Sequence, residues 1–250
     1  MLQVQPDQAL EASIRIFYQP IIRLADLRLD HVEVLARAVG TDGTLGGAEA
    51  IVDAMTNAER SMRLTTSIMQ RTLSEYAAFS FAEDDLSVAF NLPLDAMLHP
   101  GLVSRIETIR AGSGLATRNI RFELTERHPV HDIASAWSVI SRMRDAGYDL
   151  ALDDVTPTMP NLPALLGMPI RAIKLDRSIV TSMAGSGRDF IRAMVAIAAA
   201  NRQDVIAEGI ETEQVHSEMR GYGVTHGQGY LFARPLPATA LRRFLRKGKG

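Results

Sequence analysis

The stretch Tyr148 to Asp154, reading YDLALDD, ends in two adjacent carboxylates, Asp153 and Asp154. Leu150 and Leu152 alternate with small or polar residues after a break at Gly147, the pattern of a short strand. Neighbouring carboxylates repel each other and lose hydration when buried, so a strand ending this way calls for a compensating cation. A capped helix start or a solvated turn also uses paired aspartates, but other expected strands end in polar residues as well. They supply Glu33, Asn91, Glu123, Lys174, Glu208 and Gln228. Carboxylates and an amide oxygen are hard ligands that suit Mg2+ or Mn2+ rather than zinc. The acids outnumber the needs of one ion, which points to two ions sharing Asp153. Such pairs serve phosphoryl chemistry by activating a water and stabilising charge on the phosphate. Lys174 would orient that water or help neutralise the phosphate, and Arg37 can fork onto phosphate oxygens. The competing reading is a mouth lined by ordinary salt bridges, against which stands the number of polar residues at equivalent positions.

To converge, these residues need a common frame. Ile14 to Ile22 and Leu29 to Val39 read as strands, and the link Arg23 to Arg28 is too short for a helical crossover, so the pair must be antiparallel. Glu33 and Arg37 then share a face. Further strands are expected at Leu86 to Phe90, Ile120 to Leu124, Tyr148 to Asp154, Arg171 to Leu175, Asp204 to Ala207 and Gly227 to Phe232, the last carrying Gln228. Helical spacing lies between them at Gly47 to Ala58, Leu64 to Phe81, Val103 to Arg110, Ile133 to Ala146, Leu162 to Leu166, Asp189 to Asn201 and Thr212 to Tyr222, with Ala238 to Phe244 after the last strand. Trp137 is expected in the core, and Ser182 to Gly187 in a loop. Eight strands with this alternation close most simply as a TIM-type (β/α)8 barrel with an antiparallel first pair, a single α/β domain with its core at about 14–245. In that fold, the C-terminal ends of the strands meet at one mouth.

The chain of 250 residues, with 46% hydrophobic and 22% charged residues, has the composition of a globular protein. A net charge of −2 gives no argument for a nucleic-acid polymer or a membrane surface, and zero cysteines exclude thiolate catalysis and a cysteine zinc site. No leader pattern and no apolar run long enough to span a bilayer is visible, so the expected location is the cytoplasm.

With these residues in place, the sequence resembles the EAL domains, cyclic-di-GMP phosphodiesterases named for a Glu-Ala-Leu motif. The resemblance runs from about Phe17 to Pro237 through YQPII (Tyr18 to Ile22), EVLAR (Glu33 to Arg37), NLP (Asn91 to Pro93) and ELTE (Glu123 to Glu126). It continues through ALDD (Ala151 to Asp154), IKLDRSIV (Ile173 to Val180), AEGIE (Ala207 to Glu211) and GQGYLFARPLP (Gly227 to Pro237). It implies that Glu33, Asn91, Glu123 and Asp153 hold one Mg2+ or Mn2+ ion, and Asp153 with Asp154 a second. Lys174 and Glu208 would position the attacking water, with Gln228 lining the site and Arg37 and Asp176 near the substrate. Glu126 and Glu211 would support the ligands from behind. The implied reaction is hydrolysis of cyclic-di-GMP to linear pGpG, with a homodimer or a protein partner as further associations.

The chain departs from the family pattern twice. Val34 replaces the motif alanine, on the strand face opposite Glu33. After the two aspartates, where the family usually has Phe-Gly-Thr-Gly-Tyr-Ser-Ser, Val155 to Asn161 reads VTPTMPN: both glycines are gone and two prolines have entered. The complete acid set favours an active phosphodiesterase, and the altered loop favours a non-catalytic receptor or interaction domain.

Overall fold

A computed structural model of the chain describes residues 6–40, 42–125, 132–182 and 185–247, without side-chain detail for 6–9. Eight strands close a barrel: β1 (Ile14–Arg23), β2 (Leu29–Ala38), β3 (Val88–Pro93), β4 (Ile120–Thr125), β5 (Asp149–Val155), β6 (Ala172–Leu175), β7 (Asp204–Ala207) and β8 (His226–Gly227). β1 runs antiparallel to both its neighbours, β2 and β8, and every other pairing is parallel. The hairpin forms as its short link requires. Leu27 takes a left-handed φ of 57°, and the Asp26 carboxylate accepts from the Arg28 amide at 3.2 Å, bending the chain back.

The helices are α1 (Pro6–Ser13), α2 (Glu49–Ala54), α3 (Ala58–Ala78), α4 (Leu94–Met97), α5 (Leu102–Ser113), α6 (Ile133–Asp145), α7 (Leu162–Leu166), α8 (Arg177–Ser182), α9 (Gly185–Asn201), α10 (Glu213–Tyr222) and α11 (Ala238–Lys247). Most of the buried apolar side chains join one cluster, including Leu64, Met69 and Leu73 of α3 and Ala136, Ile140 and Met143 of α6. Burying such faces is what drives the helices onto the barrel.

Inside the barrel, residues two positions before the polar set lie on the same strand faces. Ala151, Ala172 and Ile206, with Ile21 from β1, form a separate apolar plug. Beneath Glu33 and Glu123 lie His31 and Arg121. Arg121 Nη1 pairs with Asp30 Oδ2 at 2.7 Å, and the same oxygen contacts His31 Nδ1 at 2.8 Å. Burial, together with Arg121, pushes His31 down to about 4, so its ring is neutral near pH 7.

Four expectations need correction. The last strand is not Gly227 to Phe232: it ends at Gly227, and Phe232 and Ala233 donate their amides back to the Gly229 carbonyl in a turn. The two helices between β2 and β3 divide elsewhere, because the Asn57 side chain accepts from the Arg60 amide at 3.0 Å and caps a helix beginning at Ala58. Arg177 to Ser182 is helical, and the next helix starts at Gly185, inside the expected loop. Trp137 is 46% exposed rather than core, because α6 packs through Ala136, Val139, Ile140 and Met143.

Candidate active site

Every strand but β1 brings a polar residue to the mouth of the barrel. β2 supplies Glu33, β3 Asn91, β4 Glu123, β5 both aspartates and β6 Lys174, while Glu208 and Gln228 follow directly on β7 and β8. The two aspartates need a device, since successive residues of a regular strand point to opposite faces. The device is a break in register between Leu152 and Val155 against β6, with Asp154 at a left-handed φ of 52°. Both carboxylates therefore border one cleft.

Gln228 lies beyond its strand yet is held on both sides. Its amide donates to the Ala207 carbonyl at 2.9 Å, and its carbonyl accepts from the Ile210 amide at 3.0 Å. This close approach depends on Gly229, where a Cβ would lie 2.1 Å from the Ile210 carbonyl oxygen.

Lys174 is fully buried, and its Nζ lies 2.7 Å from Glu208 Oε1, 2.8 Å from Glu123 Oε2, 2.8 Å from Asp153 Oδ1 and 3.7 Å from Glu33 Oε2. Asn91 Nδ2 donates to Glu33 Oε1 at 2.8 Å, and Gln228 Nε2 donates to Glu33 Oε2 at 2.6 Å. Burial opposes the charge on Lys174, but Asp153, Glu123, Glu208 and Glu33 outweigh it and hold the amine protonated. Burial likewise opposes ionisation of Glu33, which Lys174 and the two amide donors overcome, leaving its carboxyl below the usual range. For Glu123, Asp153, Asp154 and Glu208, burial wins and the carboxyls are pushed up. Asp154 rises to about 6, with the charge of Asp153 adding to burial, and Glu208 rises to about 8.

This donor set fits a hard divalent cation. Glu123 Oε1 and Gln228 Oε1 are buried oxygens with no hydrogen-bond partner, which is costly unless something positive takes them. Among the described residues, Asp154, Asp176 and Glu208 bring one oxygen each to within 4.8 Å of one another. That grouping was not legible in the sequence, where Asp176 reads as a substrate contact.

The site opens into a cleft, a cavity of about 660 Å3. Arg37 and Glu211 line it, the latter paired with Arg177 Nη2 at 2.8 Å. Asp176 stands at the start of α8, accepting from the Ser178 amide at 2.8 Å. Glu126 lies outside the described residues. Sequence reasoning missed Gln19, Arg177 and Tyr230, all of which line the cleft. The hairpin held the signal for Gln19, which is paired directly with Glu33. Tyr230 lies under the Arg234 guanidinium, 4.1 Å from its ring centre, a contact between neighbours in a turn that no periodicity announces.

The chain belongs to the EAL domain family, whose model matches residues 4–235. It is 31% identical to the cyclic di-GMP phosphodiesterase NbdA of Pseudomonas aeruginosa over 98% of this chain and 32% of that protein. It is 29% identical to the cyclic di-GMP phosphodiesterase PA2567 of the same organism, over 95% of this chain and 41% of that protein. The chain thus spans well under half the length of these curated relatives. Among solved structures it resembles the EAL enzyme Bd1971 in its cAMP- and cyclic-di-GMP-bound form, with a TM-score of 0.86 at 26% identity, over 95% of this chain and 66% of that one.

Proposed function

We propose that this chain hydrolyses cyclic-di-GMP to linear pGpG. The observation that carries the reading is the buried Lys174 ammonium gathered among four carboxylates at the barrel mouth, with Asn91 and Gln228 clamping Glu33. The phosphodiesterases named among its relatives support the same reading.

Mg2+ or Mn2+, bound by Glu33, Asn91, Glu123, Asp153 and Asp154, would supply charge neutralisation at the phosphate and a more acidic water. The chain's own residues do the rest. Glu208 and Lys174, 2.7 Å apart, orient the attacking water. Arg37 and Asp176 hold the substrate at the cleft wall and rim, and Glu211 steadies that rim through Arg177. The water oxygen bonds to phosphorus as the bond from phosphorus to one ribose 3′ oxygen breaks, and the proton lost by the water is matched by the one the 3′ oxygen takes up, opening the ring to pGpG. Gln228 and Asn91 keep Glu33 in a single orientation throughout, which is how outlying donors preserve ligand geometry.

The second reading, a receptor that binds without cutting, is favoured by the VTPTMPN loop beside Asp154. Chromatography of the purified protein incubated with cyclic-di-GMP and Mg2+ or Mn2+ decides between the two. A pGpG peak is expected, while calorimetric binding in Ca2+ without that peak would make the chain a receptor.

A further inference from the structure

The cleft has two unlike kinds of lining. Acidic residues line it, and so do the apolar side chains of Ile51 and Val52 of α2, Met55 just beyond it, Ile68 of α3 and Met159. Met55, Ile68 and Met159 pack on the core from one side and remain partly exposed. Met159 comes from the segment in which this chain departs most from its family.

That segment holds itself in place. The Met159 amide donates to the Thr156 carbonyl at 3.1 Å, closing a turn whose second position is Pro157. Proline presets the φ that this position needs. The Thr156 and Thr158 hydroxyls lie 3.2 Å apart, and the Asp176 amide donates to the Val155 carbonyl at 3.3 Å. The turn is therefore a fixed bracket that presents Met159 to the cleft, five residues beyond Asp154.

A cyclic dinucleotide also has two unlike parts, an anionic ring and flat purines. With its phosphate over the acids, a base needs a surface that covers its faces without demanding hydrogen bonds. Thioether side chains do this well, being polarisable and adaptable against aromatic rings. Building on the phosphodiesterase reading, we propose that Met159, together with Met55, forms the subsite for one purine of the substrate, so that the divergent loop helps to hold the base.

The test separates a base contact from support of the metal ligands. Met159→Ala, Met159→Leu and Met55→Ala would be titrated with cyclic-di-GMP in Ca2+, and separately with Mn2+ alone, beside the unaltered chain; KM and kcat for pGpG formation would be measured in parallel. Met159→Ala and Met55→Ala should each weaken nucleotide binding about tenfold and raise KM more than they lower kcat, the scale expected for lost methylene contacts in an apolar pocket. Met159→Leu should recover most of the loss, and Mn2+ affinity should stay level in every variant. Unchanged nucleotide binding in the alanine variants would overturn the subsite. So would a parallel fall in Mn2+ affinity, which would make the loop a metal support instead. If the unaltered chain neither binds nor cuts cyclic-di-GMP, it is the underlying reading that fails, a result visible before any variant is made.

Discussion

Replacing Lys174 by Met would leave Glu33, Glu123, Asp153 and Glu208 buried around a vanished charge. Breaking a buried ionic cluster from one side costs about 3–5 kcal/mol. We expect a loss of that size in urea unfolding without metal, part of it recovered by added Mg2+. Glu33→Ala tests the proposed ligand set directly. Turnover should fall more than about a hundredfold, the upper range found when mere supporters of metal ligands are lost; activity that survives would remove Glu33 from the site. Most of the polar residues at the barrel mouth were legible because strands end there and polar side chains at strand ends are conspicuous. Asp176 with Asp154 and Glu208 was not, because their proximity depends on the left-handed turn at Asp154, which no spacing rule encodes.

At the scale of elements, short-range capping chemistry explains where expectation and structure parted. Asn57 carries the signal that begins α3, and the apolar periodicity on both sides hid it. Asn57→Ala should cost about 1 kcal/mol, measurable as a shift of the urea midpoint at unchanged slope. Gly229 is a stricter case. Its missing side chain lets the chain pass against the Ile210 backbone, so Gly229→Ala should displace Gln228 from Glu33 and lower both stability and turnover. Trp137 was misread for another reason: a large aromatic on an amphipathic helix suggests core, but α6 turns a neighbouring stripe inward.

The molecule as a whole was the most legible level. Eight strands, the antiparallel first pair and the closed order all followed from link lengths and alternation, since a short link cannot cross over and alternating helices force parallel neighbours. Its pH behaviour follows from the raised carboxyls. Folded-state values of about 8 for Glu208 and about 6 for Asp154 exceed their unfolded values. The stability they contribute is therefore full below about pH 4 and is lost as pH rises through about 6 and then 8. A bound cation removes that penalty, so the rise in Tm produced by Mg2+ should be small near pH 5 and largest near pH 8. A Tm shift independent of pH would dissociate these two acids from the metal.

The brevity of β8 sets where the molecule breathes. The first and last strands meet through Ile22 with Gly227 and Arg23 with His226, against nine paired positions on the other side of β1. Local opening takes the path with least to break, so amide protons along 226–231 should exchange with deuterium well ahead of those in β3 to β5. Gln228 rides on that segment and grips Glu33. An opening of this segment would withdraw the Gln228 donor and leave Glu33 to Asn91 alone, so the shortest strand of the wall governs how firmly that carboxylate is held.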